Sequence, residues 1–136
     1  MFFQKNNNKK DDLSKVAALL IHAAKIDENY SIIEEEIITK ALIEIGAKDE
    51  SVKEIIANGK KIEENSNQIL DFTKEVKNMN EENKIKIIET LWRIIYSNND
   101  ADIYETNLMR RLTGLLYIDR RLIGDIKEKI KKEILK

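Results

Sequence analysis

The residues of this chain best suited to chemistry are oxygen donors gathered at two short breaks in an otherwise helical pattern. Asp27, Glu28, Asn29 and Glu34 surround the first; Asn98, Asn99, Asp100, Asp102 and Glu105 surround the second. Carboxylate and amide oxygens at this density suit a hard divalent cation such as Ca²⁺, Mg²⁺ or Mn²⁺. The candidate metal ligands are Asp27, Glu34, Asn98, Asp100, Asp102 and Glu105. The second break starts like an EF-hand loop, with Asn98, Asp100 and Asp102 at alternate positions. It departs from one at Ile103, where glycine is required, and at Met109, where the bidentate Glu belongs.

A plainer role competes for two of these carboxylates. Ser31 with Glu34, and Asp102 with Glu105, have the spacing of a capping box, in which the cap side chain accepts from the third helical amide and the Glu accepts from the cap amide. Capping alone accounts for Glu34 and Glu105, and the helix dipole favours acids in a first turn. Catalytic constellations are not in view. The chain has no cysteine and a single histidine, His22, and no nucleophile is paired with a base, so the reading is a non-enzyme.

The elements that position these turns are helices. With no proline and four glycines in 136 residues, the chain can be helical almost end to end. Leu13, Val16, Ala17, Leu20 and Ala24 recur at helical spacing, leaving Lys15, His22 and Lys25 on the other face. Ser31 opens a second helix with a stripe of Ile33, Ile37, Ala41 and Ile45, widened by Ile38 and Leu42, and Gly46 closes it. Asp49 caps a short helix through Val52, Ile55 and Ile56 that Asn58-Gly59 ends. Asn65 and Gln68 lead into a helix carrying Ile69, Phe72 and Val76. Asn80 caps a helix whose apolar face, from Ile85 to Ile95 with Trp92, is broad enough to be central. Leu108, Met109, Leu112, Leu115 and Leu116 follow the second break, and Asp119 starts a last helix with Ile123, Ile126, Ile130 and Ile134 on one side.

An internal repeat links the two breaks. Adding 71 to the first hairpin's numbers takes Ser31 to Asp102, Glu34 to Glu105, Leu20 to Leu91, Ile37 to Leu108, Ile38 to Met109 and Ile45 to Leu116. A duplicated helix–turn–helix explains two caps and four apolar matches at one offset. The expected fold is a single all-α domain of about seven helices, built on two pseudo-symmetric helical hairpins. It spans residues 11–136, with a polar, disordered N-terminus over residues 1–10.

Charge bounds the partners. Lys and Arg number 24 against 25 Asp and Glu, a net charge of −1 that gives no broad field for a nucleic acid. Arg110-Arg111 and Arg120-Arg121 are isolated basic pairs in acidic surroundings. No apolar run reaches the roughly 18 residues of a membrane span. The absence of cysteine fits the reducing cytoplasm.

The segments AAKIDENYSIIEEEI and LWRIIYSNNDADIYETNLMRRLTGLLYI, joined by LDFTKEV, resemble the TerB-like tellurite-resistance family over about Leu13 to Ile126. The resemblance implies an all-α, stress-associated domain with a metal site formed by the acidic turns of both hairpins. The family's turn Asp falls on Asp27 and its Glu on Glu34; in the second copy Glu105 is retained, while Asn98 stands in place of Asp. Glu28 and Asn99 replace the glycine that follows each Asp. The function expected is therefore a non-catalytic tellurite-resistance or stress domain binding a divalent cation through its two turns. The alternative is a module that binds a partner protein and whose metal site is degenerate.

Overall fold

A computed structural model describes residues 2–25, 31–65, 70–97 and 105–134. It contains α1 (Phe2–Ala24), α2 (Ile32–Ile45), α3 (Val52–Glu64), α4 (Leu70–Lys77), α5 (Glu81–Tyr96), α6 (Arg110–Leu115) and α7 (Arg120–Ile134). A π-helical turn over Glu105–Met109 runs directly into α6. No strand occurs among the described residues, and the fold is all-α as the sequence implies. The backbone of α1 is already helical through residues 2–10, a stretch with no proline or glycine to stop it.

One apolar core joins these helices. From Leu13 onward α1 buries its expected stripe and also Ala18, Leu19, Ile21 and Ala23. The reason is its position: α2, α3, α4 and α5 all pack against it. Helix α5 is the second axis of the domain, burying Ile87, Ile88, Leu91, Trp92, Ile94 and Ile95 between α2, α1 and α7. Its first turn is capped by Asn80, whose side-chain oxygen accepts from the Asn83 amide at 2.8 Å. Phe72 and Val76 of α4 are buried, as their spacing predicts.

Three local expectations are corrected. In α2 the buried face is Glu34, Ile38, Ala41, Leu42 and Ile45. The inward turn of Glu34 sets that phase and leaves Ile33, expected in the stripe, on the surface. Helix α3 does not stop at Asn58-Gly59 but continues to Glu64, and no side chain caps its start. Gly59 is there for packing: a methyl group on it would lie 2.7 Å from the Ala17 Cβ and 3.1 Å from the Ser14 carbonyl oxygen. The α1 and α3 backbones therefore approach as only glycine permits. In α7, Ile123, Ile126 and Ile130 are buried as expected, while Ile134, at the helix's last residue, is exposed.

The duplication is larger than a hairpin. The offset that relates α2 to the π-turn and α6 also takes Val52 and Ile55 of α3 to Ile123 and Ile126 of α7, all four buried. The repeated unit is thus three helices, α1–α2–α3 and α5–α6–α7, with α4 as the connector.

Candidate functional site

The first acidic turn is held at its far end by the capping box that its sequence encodes. Ser31 Oγ accepts from the Glu34 amide at 3.1 Å, and Glu34 Oε1 accepts from the Ser31 amide at 3.0 Å. The Glu34 side chain is almost wholly enclosed, at 1% exposure, where α2 meets the core. Its neighbour Glu35 faces outward and pairs with Lys60 of α3 at 2.9 Å. Of the six candidate ligands, Glu34 alone has its side chain among the described residues. Asp27, Asn98, Asp100 and Asp102 lie outside them; Glu105 opens the π-turn, with its side chain outside the described set. Among the described residues no three His, Cys, Asp or Glu side chains form a metal-holding group.

The donor chemistry is compatible with a hard cation even where the cap is formed. A carboxylate presents two oxygens and about four lone pairs, so accepting one amide hydrogen does not exhaust it. Asp27, Glu34, Asp100, Asp102 and Glu105 would supply charged oxygens, and Asn98 a neutral amide oxygen.

Each unit also carries a clamp that the sequence did not announce. His22 Nδ1 of α1 and Lys25 Nζ, one residue past its end, approach Glu63 of α3 at 3.5 and 2.9 Å. In the second unit Arg93, the positional equivalent of His22, donates to Glu133 of α7 at 3.0 and 3.4 Å. The hydrogen bond from Arg93 holds the Glu133 carboxyl below the ordinary glutamate range, outweighing its slight desolvation, with Lys129 and Lys40 adding to the effect. Besides the acid, the His22 ring meets that of Phe72, 5.9 Å away between centroids. These pairs tie the last turn of the third helix to the helix that enters each acidic turn. The only advance signal was the repeat offset, which sets Arg93 against His22.

This geometry defines an all-α domain in which a three-helix unit is used twice, with an acidic turn inside each copy. The chain belongs to the tellurite resistance protein TerB family, whose family model matches residues 13–128. No curated protein and no solved structure matches it. Among the described residues no helix is long and apolar enough to cross a membrane.

Proposed function

We propose that the protein is a non-catalytic, tellurite-resistance-associated domain of the cytoplasm that takes up a divalent cation, Ca²⁺, Mg²⁺ or Mn²⁺, between its two inter-helix turns. The observation that carries this reading is Glu34, a carboxylate enclosed at the end of the first turn and fixed in orientation by Ser31. Buried carboxylates are stabilised by pairing or by metal coordination. A second support is the packing of α2 on α5, with Lys86 Nζ donating to the Glu44 carbonyl oxygen at 3.2 Å. That contact sets the end of α2 beside the start of α5, which favours the start of α2 reaching toward the end of α5, where the second turn leaves. Asp27, Glu34 and Glu105 would then repel one another, and a cation would relieve that repulsion.

Calorimetric melting of chelator-treated protein tests the reading. Returned Ca²⁺, Mg²⁺ or Mn²⁺ is expected to raise the melting temperature with concentration, by mass action. Asp27→Asn is expected to weaken the response at unchanged helical content. A flat response to all three cations defeats the proposal. The second reading, a partner-binding module, would then stand. It is favoured by Ile32 and Ile33, which are 77% and 63% exposed at the start of α2.

A further inference from the structure

The repeat puts a tyrosine where its first copy has a glycine. Tyr117, in the short connection from α6 to α7, is the non-glycine residue of positive φ among those described, at 54°, and it corresponds to Gly46. A side chain in that conformation crowds its own backbone, a strain that glycine escapes. The polar contacts that hold the bend are exposed: Asp119 accepts the Arg121 amide at 3.0 Å, and Lys77 Nζ lies 4.4 Å over the Tyr117 ring. Nothing in the sequence stops a helix here. Between Gly114 and Gly124 there is neither glycine nor proline, and Leu112, Leu115, Ile118, Leu122 and Ile126 keep helical spacing across the bend.

Helix α7 rests on one neighbour. In the first copy α3 packs on both α1 and α2, whereas the extensive packing of α7 is with α5. A cleft of about 300 Å³ between Ile85, Ile88, Leu122 and Ile126 leaves the near end of that seam incompletely filled. Further along, Ile123, Ile126 and Ile130 are buried, and Lys127 Nζ lies 5.7 Å from the Trp92 ring centre. Lys129 pairs with Glu89 at 2.8 Å and Glu133 with Arg93 at 3.0 Å. Each of these polar and aromatic partners lies on α5, so the α7 of a second copy would find the same set.

We infer that two copies of this chain swap α7. In each, Tyr117 relaxes into the helical region and α6 runs on into α7, making one rod from Arg110 to Ile134, roughly 37 Å long. A straight rod cannot return α7 to its own α5. It seats instead on the α5 of the other copy and receives that copy's α7 in return, a closed and self-complementary pairing. The swap keeps the contacts of the seam and removes the strained residue from both chains; short strained hinges favour this outcome. Its cost is association, so the dimer builds with protein concentration. Neither acidic turn lies in the hinge or the seam, which makes the swap independent of the proposed cation site.

Charge reversal tests the swap on the intact protein, in chelator. One variant carries Glu89→Lys and Arg93→Glu on α5; the other carries Lys129→Glu and Glu133→Arg on α7. Alone, each sets like charges across the α5–α7 seam, in a monomer and in a swapped homodimer alike. Refolded together from urea at high concentration, the two match only in the swapped heterodimer. Native mass spectrometry should show it exceeding either homodimer by about tenfold or more. In an otherwise unaltered chain, Tyr117→Gly relieves the strain and weakens the straightened helix, so it should form about tenfold less dimer than the parent at equal concentration. Circular dichroism verifies folding; if the charge variants do not refold even together, the Tyr117→Gly comparison decides. A parent chain that stays monomeric at high concentration, a statistical mixture of the three dimers, or undiminished dimer in Tyr117→Gly overturns the proposal.

Discussion

Gly46 and Tyr117, which end α2 and α6, are the two positions of positive φ among the described residues, at 129° and 54°. They are separated by the repeat offset of 71 (117 minus 46). The residue after each closes its helix with the same bond: the Ala47 amide donates to the Leu42 carbonyl at 2.9 Å, and the Ile118 amide to the Thr113 carbonyl at 3.4 Å. Both are six-to-one closures of the kind that end helices in a left-handed residue. The match is independent of side-chain identity, since one position is glycine and the other tyrosine.

That pair makes opposite predictions for opposite substitutions. Gly46→Ala forces a β-carbon into a conformation L-residues avoid and is expected to cost about 1–3 kcal/mol. Tyr117→Gly relieves a left-handed residue of roughly 1–2 kcal/mol, less the exposed contact with Lys77. Urea denaturation should show a lower midpoint for the first and an equal or higher one for the second.

One substitution made at three glycines should separate packing from propensity. Gly114→Ala and Gly124→Ala meet nothing within 4 Å and should stabilise the protein by about 0.5–1 kcal/mol through helix propensity. Gly59→Ala gains the same propensity, yet its methyl would meet Ala17 at 2.7 Å. Overpacking of that kind costs about 1–3 kcal/mol, so a net loss is expected in chemical denaturation.

Trp92 is buried on α5, stacked on Tyr96 at 5.9 Å between ring centroids. Trp92→Ala should cost about 3–5 kcal/mol. Its indole nitrogen has no hydrogen-bond partner among the described residues, so the emission of the native protein should be blue-shifted and move red on unfolding.

The Arg93–Glu133 clamp predicts a small acid sensitivity. The folded-state pKa of Glu133 is depressed, so the pair's stabilisation is complete above the unfolded glutamate pKa and is lost as pH falls through the folded one. Glu133 is half exposed, which limits the effect to about 0.2–1 kcal/mol. Melting curves of Glu133→Gln against the parent should diverge near neutral pH and converge in acid.

Much of the fold is legible in the sequence because helical caps and stripes are local. The Ser31–Glu34 box, the Asn80 cap and the buried face of α5 could be read from spacing alone. What could not be read depended on neighbours. The spacing of Leu13, Val16 and Leu20 marks one face of α1, but not that four other helices would cover the rest. Gly59 looks like a stop until α1 is seen against it, and Ile33 looks inward until Glu34 takes that place. The site was legible as a set of oxygen donors, of which the structure describes the Glu34 side chain, held as its cap spacing predicts.

The enclosure of α1 by four helices has a counterpart in α7, whose extensive packing is with α5 alone. Such a difference separates regions by the free energy needed to open them. Amide hydrogens in the buried part of α1 can exchange with solvent only when the whole domain unfolds. Those of α7 can exchange through a smaller excursion in which this helix lifts from α5, breaking the bonds from Arg93 and Lys129 as it goes. Exchange protection should therefore fall from the first copy of the repeat to the second, making a domain of two like halves kinetically unequal.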